Sequence, residues 1–223
     1  MKYIVIDLEM NPIDKKHKKS RMLINREIVE IGAIALDEQY KEIDRFKMFV
    51  KPYFNNEMTK NVEMLTGIKT GMLWSQPDFA KAMESFFDWC DEFQDKIVFY
   101  EWSDNDLDQI LKEMIVKRYS PKDKDVKYLL DWRDLQEEYG KMFDFVKPVA
   151  LKEAILNLGL DVTGHLHDAL CDVENTVNIL KILHNKEDVE QYKAVLESCT
   201  SPKEECVFTL GDMFDFEKLA ASA

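Results

Sequence analysis

Lys2-Tyr3-Ile4-Val5-Ile6-Asp7-Leu8-Glu9-Met10-Asn11 opens the chain with a run of β-forming residues that carries two carboxylates, at i and i+2. Alternate side chains of a strand share a face, so Asp7 and Glu9 project together from one side. Two anions held side by side repel. A fold tolerates the pair when a cation sits between them, or when both simply face water. Arg26-Glu27-Ile28-Val29-Glu30-Ile31-Gly32-Ala33-Ile34-Ala35-Leu36 reads as a second, largely buried strand. Residues 43–50 read as a third, stopped by Lys51-Pro52. Short connections between them predict an antiparallel meander led by the acidic strand.

Strand–helix alternation follows. Residues 57–67 read as helix or turn, finishing at Leu65-Thr66-Gly67-Ile68. Pro77 opens an amphipathic helix with Phe79, Met83, Phe86, Phe87, Cys90 and Phe93 at helical spacing, a core stripe. Ile97-Val98-Phe99-Tyr100 is a short apolar strand, and Leu107, Ile110, Leu111, Met114 and Ile115 mark the helix after it. Residues 119–127 form a polar loop, Leu129 to Leu135 a strand, and a helix starts near Gln136. Leu151 to Leu158 is a helix closed by Gly159, and another carries Leu170, Val173, Val177, Leu180 and Leu183. A charged helix follows residue 186; in the tail, Cys206–Leu210 forms a candidate strand and Met213–Phe216 an apolar patch. Strands first, then strand–helix alternation, predicts an α/β fold with a mixed sheet.

With 223 residues, 46% apolar and 33% charged, the chain has the balance of a soluble globular protein with room for a sizeable core. No apolar stretch approaches a membrane span or a signal peptide. Cys90, Cys171, Cys199 and Cys206 lack paired-ligand spacing, which points to reduced thiols, a cytoplasmic setting and no zinc. The net charge of −13 speaks against a nucleic-acid partner. Carboxylates gathered at a divalent metal would be neutralised there, however, and positive charge is concentrated locally. Lys15, Lys16, Lys18, Lys19, Arg21 and Arg26 follow the single acid Asp14, directly after the two carboxylates. Such a run is a solvated loop or a contact for phosphates.

Between the fourth strand and its helix lies Glu101-Trp102-Ser103-Asp104-Asn105-Asp106, at a strand's carboxyl end where α/β folds place their chemistry. Acids there also cap helices, the reading preferred for Asp104. Late in the chain, His167 precedes Asp172 by five residues, about 140° around a helix, so the two do not share a helical face. His167 therefore belongs to the loop or first turn, free to swing over a site that Asp172 helps build. His165 reads as a cap or surface residue.

The pattern resembles the DEDDh 3′–5′ exonucleases of the ribonuclease-H-like fold. Asp7-Leu8-Glu9 matches their first motif, Trp102-Ser103-Asp104-Asn105-Asp106 the second, and His167 to Asp172 the third. Glu27 to Ala33, Phe49-Val50-Lys51-Pro52, Leu65-Thr66-Gly67-Ile68, Leu151 to Ala154 and Leu158-Gly159-Leu160 fit as well. The Trp-containing motif looks most like the RNA-trimming, sporulation-inhibitor-like branch. The resemblance implies a mixed five-stranded sheet, an antiparallel meander followed by parallel strands, flanked by helices. It implies that Asp7, Glu9, Asp106 and Asp172 hold two Mg²⁺ or Mn²⁺ ions, with Asp7 bridging, and that His167 is the general base. Hard oxygen donors suit those ions. Met10, Leu65, Thr66, Phe49 and Trp102 are implied to hold the terminal nucleotide, although Leu65, Phe49 and Trp102 also fit a core role, Phe49 most of all.

The expected activity is therefore metal-dependent removal of nucleoside 5′-monophosphates from the free 3′ end of single-stranded nucleic acid, RNA ahead of DNA. The rivals are a ribonuclease-H-like endonuclease and a non-catalytic interaction module that retains the fold. Residues 1–184 form the expected domain and 185–223 an extension, a candidate homodimer or protein-partner patch. No membrane partner is expected.

Overall fold

The structure, a computed structural model, describes residues 1–55 and 57–200. The expected tail strand Cys206–Leu210 and the patch Met213–Phe216 lie outside the described residues. Strands β1 (Lys2–Pro12), β2 (Arg26–Leu36) and β3 (Glu42–Phe49) form the antiparallel meander. Strands β4 (Ile97–Glu101) and β5 (Trp132–Asp134) run parallel to β1, in the order β3-β2-β1-β4-β5. The mixed five-stranded sheet is the ribonuclease-H-like arrangement.

The central position of β1 explains its apolar sequence: both of its faces are covered. Ile4, Ile6 and Leu8 face one core layer, built with α3 (Phe79–Asp91) and α4 (Asn105–Lys117). Within α3, Phe79, Met83, Phe86, Phe87 and Cys90 are all buried, as their spacing predicts. Truncating a fully buried ring such as Phe86 costs about 3–5 kcal/mol. Tyr3 and Val5 face the opposite layer, formed by α5 (Leu135–Met142), α6 (Leu151–Asn157) and α7 (Ala169–Leu183). Asp7 and Glu9 continue this odd-numbered row, so the strand's alternation aims them at the start of α7. Two short helices, α1 (Lys60–Thr66) and α2 (Thr70–Leu73), flank the end of β1, with Gly67 closing α1 in the left-handed conformation. The last helix, α8 (Lys186–Thr200), packs through Val189, Tyr192 and Leu196 on the α7 layer. No helix among the described residues is long and apolar enough to cross a membrane.

One expectation is corrected. The strand expected over Leu129–Leu135 shrinks to Trp132–Asp134, because Val126–Leu129 winds into a 3-10 turn and the Asp134 carboxylate caps α5 by accepting from Glu137 N–H at 3.1 Å. On α4, Ile110 and Met114 are buried, but Leu111 and Ile115 are exposed. The position between them goes to Glu113, which is fully buried and accepts the Ile28 N–H of β2 at 2.6 Å. Lys117 neutralises it from the next helical turn. A backbone donor near the β1–β2 irregularity thus brings a charged residue onto the buried side of α4.

Candidate active site

Strand β4 pairs with β1 only as far as Val5. Beyond that point β1 runs on without its parallel neighbour, and the gap takes the start of α4, as expected at the carboxyl ends of parallel strands. Asp106 lies in the first turn of α4 and is buried. It is fixed there by Glu101, whose Oε2 accepts the Asp106 N–H at 2.9 Å and the Leu107 N–H at 3.0 Å. The capping role expected of Asp104 therefore belongs to Glu101; Asp104 occupies the N-cap position without a side-chain capping bond among the described residues. A carboxylate four residues before the helical run reaches forward over the turn at Ser103, whose φ is +78°.

Asp172 comes from the first turn of α7. The N-cap of this helix is Asp168, which accepts Leu170 N–H at 3.1 Å and Cys171 N–H at 3.2 Å. His167 precedes the cap at φ +68° and is exposed, and its backbone N–H donates to Asp172 Oδ2 at 3.0 Å. The loop placement expected for His167 is the observed one. Ligand-type atoms of Glu9, His167 and Asp172 lie within 4.8 Å of one another. Asp7 and Asp106 line the same cleft outside that tightest group.

The electrostatics are those of crowded anions. Burial, then the neighbouring carboxylates Asp172, Glu30 and Asp168, push the Asp7 carboxyl well above its ordinary range. Burial and then Asp7 raise Glu9 to about 9. Asp106 is raised well above normal by burial, then by Asp7, Glu101 and Glu9. Asp172 is raised by burial against the lowering effect of the His167 N–H. Its Oδ1 is buried with no hydrogen-bond partner among the described residues. Four carboxylates strained in this way, one with an orphaned oxygen, fit divalent cations that prefer oxygen donors.

The cleft above these groups measures about 580 Å³ and is lined by Met10, Leu65, Thr66 and Trp102 among others. Trp102 donates its indole N–H to the Val149 carbonyl at 3.2 Å, which holds the ring beside the site. Phe49, for which a core role was the favoured alternative, sits at the end of β3, packs against Val29, Met58, Ile68 and Leu73, and is not among the residues that line the cleft. Leu23, Gln109 and Lys112 also line the cleft and carry no motif that would mark them, and so does Arg26, the last cation of the basic run. Glu30 and Glu101 stand beside the site too, and each had a signal: a carboxylate inside or ending an otherwise buried strand.

A family model described as Exonuclease (RNase_T) matches residues 4–180. The chain is 28% identical over 193 residues to ERI1 exoribonuclease 2 of Danio rerio, a match spanning 78% of this chain and 33% of that protein. Identity to ERI1 exoribonuclease 3 of Homo sapiens is 26% over 164 residues, 71% of this chain and 48% of that protein. The chain thus spans about a third to a half of the length of these curated relatives. Among solved structures, the nuclease domain of 3'hExo, a DEDDh family member bound to rAMP, superposes with a TM-score of 0.67 at 23% identity, covering 81% of this chain and 90% of that one. That likeness is one of fold.

Proposed function

This chain belongs to the exonuclease family, and from that footing we propose that it hydrolyses single strands from the 3′ end, RNA ahead of DNA, releasing nucleoside 5′-monophosphates. The observation that carries the reading is the convergence of Asp7, Glu9, Asp106, Asp172 and His167 on one cleft, with the buried Asp172 Oδ1 unpartnered. The preference for RNA draws on the relatives' names, which are exoribonucleases. It also draws on Trp102, the residue that likens the second motif to the RNA-trimming, sporulation-inhibitor-like branch.

Asp7, Glu9, Asp106 and Asp172 would hold two Mg²⁺ or Mn²⁺ ions, which would supply a more acidic water and offset negative charge on the phosphate. His167 accepts a proton from the attacking water. An imidazole is a common proton acceptor in such steps, and the exposed loop lets the ring reach the space over Glu9 and Asp172. The bond from the water oxygen to phosphorus forms as the bond to the upstream 3′ oxygen breaks, and that oxygen leaves with a proton from solvent. Met10, Leu65 and Thr66 offer a mostly apolar wall for the terminal nucleotide, and Trp102 an aromatic one; such surfaces accept any base. We take residues 1–184 as the domain and 185–223 as an extension, in which α8 starts at Lys186.

The test uses 3′-labelled and 5′-labelled RNA and DNA strands with Mg²⁺, Mn²⁺ or chelator. Wild type should release mononucleotides from an open 3′ end only, and a blocked 3′ end should stop it. His167→Ala should lower kcat by about 10²–10⁴-fold. Cutting of a blocked strand would identify an endonuclease. The absence of any mononucleotide with either metal would overturn the proposal.

A further inference from the structure

The side of the sheet that carries Asp7 and Glu9 also carries charges that the proposed chemistry leaves unused. On β2, Glu30 sits opposite Glu9 in the β1–β2 register and is 1% exposed. On β3, Arg45 and Lys47 alternate with the core residue Phe46 and so face the α7 layer. Lys47 Nζ reaches Glu30 Oε1 at 3.1 Å and Asp168 Oδ2 at 2.5 Å. Glu30 Oε2 accepts the Ala169 N–H at 3.3 Å. Asp168 in turn caps α7, and its neighbour His167 bonds Asp172 through the backbone. One ammonium group therefore ties a buried strand carboxylate to the residue next to His167.

This arrangement does two things at once. It fixes the turn at two points, since the Glu30 bond to Ala169 and the Lys47 bond to Asp168 hold consecutive residues directly after His167. It also compensates charge. Glu30 and Asp168 are two carboxylates beyond the four proposed as ligands, and without Lys47 their charges would stand next to the cluster unpaired, which is costly for a buried group. Arg45, bonded to Glu174 one turn further along, secures the body of the helix separately. Lys47 is the cation that reaches the turn itself.

Resting on the exonuclease reading, we propose that Lys47 is a positioning residue: through Glu30 and Asp168 it holds the His167 turn over the carboxylates. It acts through that turn and leaves substrate binding to the cleft. Misplacing a reacting group by about 1 Å can cost up to about a hundredfold in rate, so the effect belongs in kcat.

The experiment compares full-length wild type with Lys47→Met and Lys47→Arg. Lys47→Met should lower kcat by about ten- to a hundredfold with KM within about twofold, and Lys47→Arg should recover most of the loss. Amide hydrogen exchange on the metal-free proteins should quicken at His167 and Ala169 in Lys47→Met and stay at wild-type rates from Val173 to Leu183. Unchanged exchange at His167 and Ala169 would overturn the proposal. So would quicker exchange along the whole of α7, which would make Lys47 only a clamp for the helix. A kcat at the wild-type level, or a change confined to KM, would also overturn it. Were wild type itself inactive on every strand, the exonuclease reading would fall, and the exchange pattern would still decide whether Lys47 holds the turn.

Discussion

Gly32 lies so close to Ala169 that a Cβ built on it would stand 2.6 Å from the Ala169 carbonyl carbon and 2.7 Å from the Leu170 nitrogen. Gly32 is also the register partner of Asp7 on the adjoining strand. The empty side-chain position beside Asp7 is thus the space through which α7 brings Asp172 to the first-strand carboxylates. Both neighbours are backbone atoms, so Gly32→Ala must displace the helix. We expect a loss of about 1–3 kcal/mol, the usual cost of overpacking, read as a lower urea midpoint. Nuclease activity should fall further than the stability loss alone explains when assayed well below the new midpoint.

Glu101 offers a second test of how the site is held. Its carboxylate satisfies two N–H groups at the start of α4, and burial raises it to about 7. Glu101→Ala should cost about 0.5–2 kcal/mol, as lost caps do, and should lower activity by letting the turn that carries Asp106 move. Glu101→Gln retains an acceptor oxygen and should keep most of the stability. Thermal unfolding and initial rates of the two variants separate the cap from the charge; equal losses in both would show that charge, and not capping, fixes Asp106.

Much of this architecture is legible along the chain because its signals are local. The bounds of β2 coincide with the apolar run from Arg26 to Leu36, and the stripe of α3 buries the residues its spacing marks. The carboxylates and His167 are legible because fixed spacing binds them to recognisable turns. The core role of Phe49 is legible as well, although its partners around α1 and α2 are set only by the fold. Glu113 is not legible, because its burial answers a backbone donor 85 residues away. Lys47 escapes for the same reason: it is an ordinary charged residue until β3, β2 and α7 come together.

The carboxylate cluster couples stability to pH. In the metal-free protein the Glu9 carboxyl rises from an ordinary value near 4.5 to about 9, and Asp7, Asp106 and Asp172 move in the same direction. A carboxyl raised on folding favours the folded state while protonated. Its contribution is complete below about 4.5 and is lost as pH climbs towards 9. With chelator, the unfolding temperature should therefore decline across that window. Mn²⁺ should oppose the decline, so the gap between the metal and chelator curves should widen with pH. Parallel curves would remove the link between the buried carboxylates and metal.

The basic loop after β1 is built rather than loose, which sharpens the question of its use. Ile13, Ile24 and Phe54 form a small core beneath it. Asn55 clasps it from both sides, accepting Asp14 N–H at 2.9 Å and donating to the Pro12 carbonyl at 2.6 Å. Arg21 is engaged in holding the Ile13 carbonyl. Lys15, Lys16 and Arg21 line a groove of about 600 Å³ that meets the catalytic cleft at Pro12. Asp14, paired with Lys16 at 3.2 Å, and Glu57 offset part of that charge. If the upstream strand lies along this groove, each phosphate neutralised releases counterions, and the logarithm of affinity falls against the logarithm of salt with a slope of about −0.7 per neutralised phosphate on single strands. Replacing Lys15, Lys16, Lys18 and Lys19 with Gln, and leaving Arg21 to its structural bond, should weaken binding of a 3′-blocked strand and flatten that slope by about 0.7 for each phosphate that no longer meets a lysine. A slope equal to that of wild type would return the loop to a solvated surface and move the path of the strand to the other wall of the cleft.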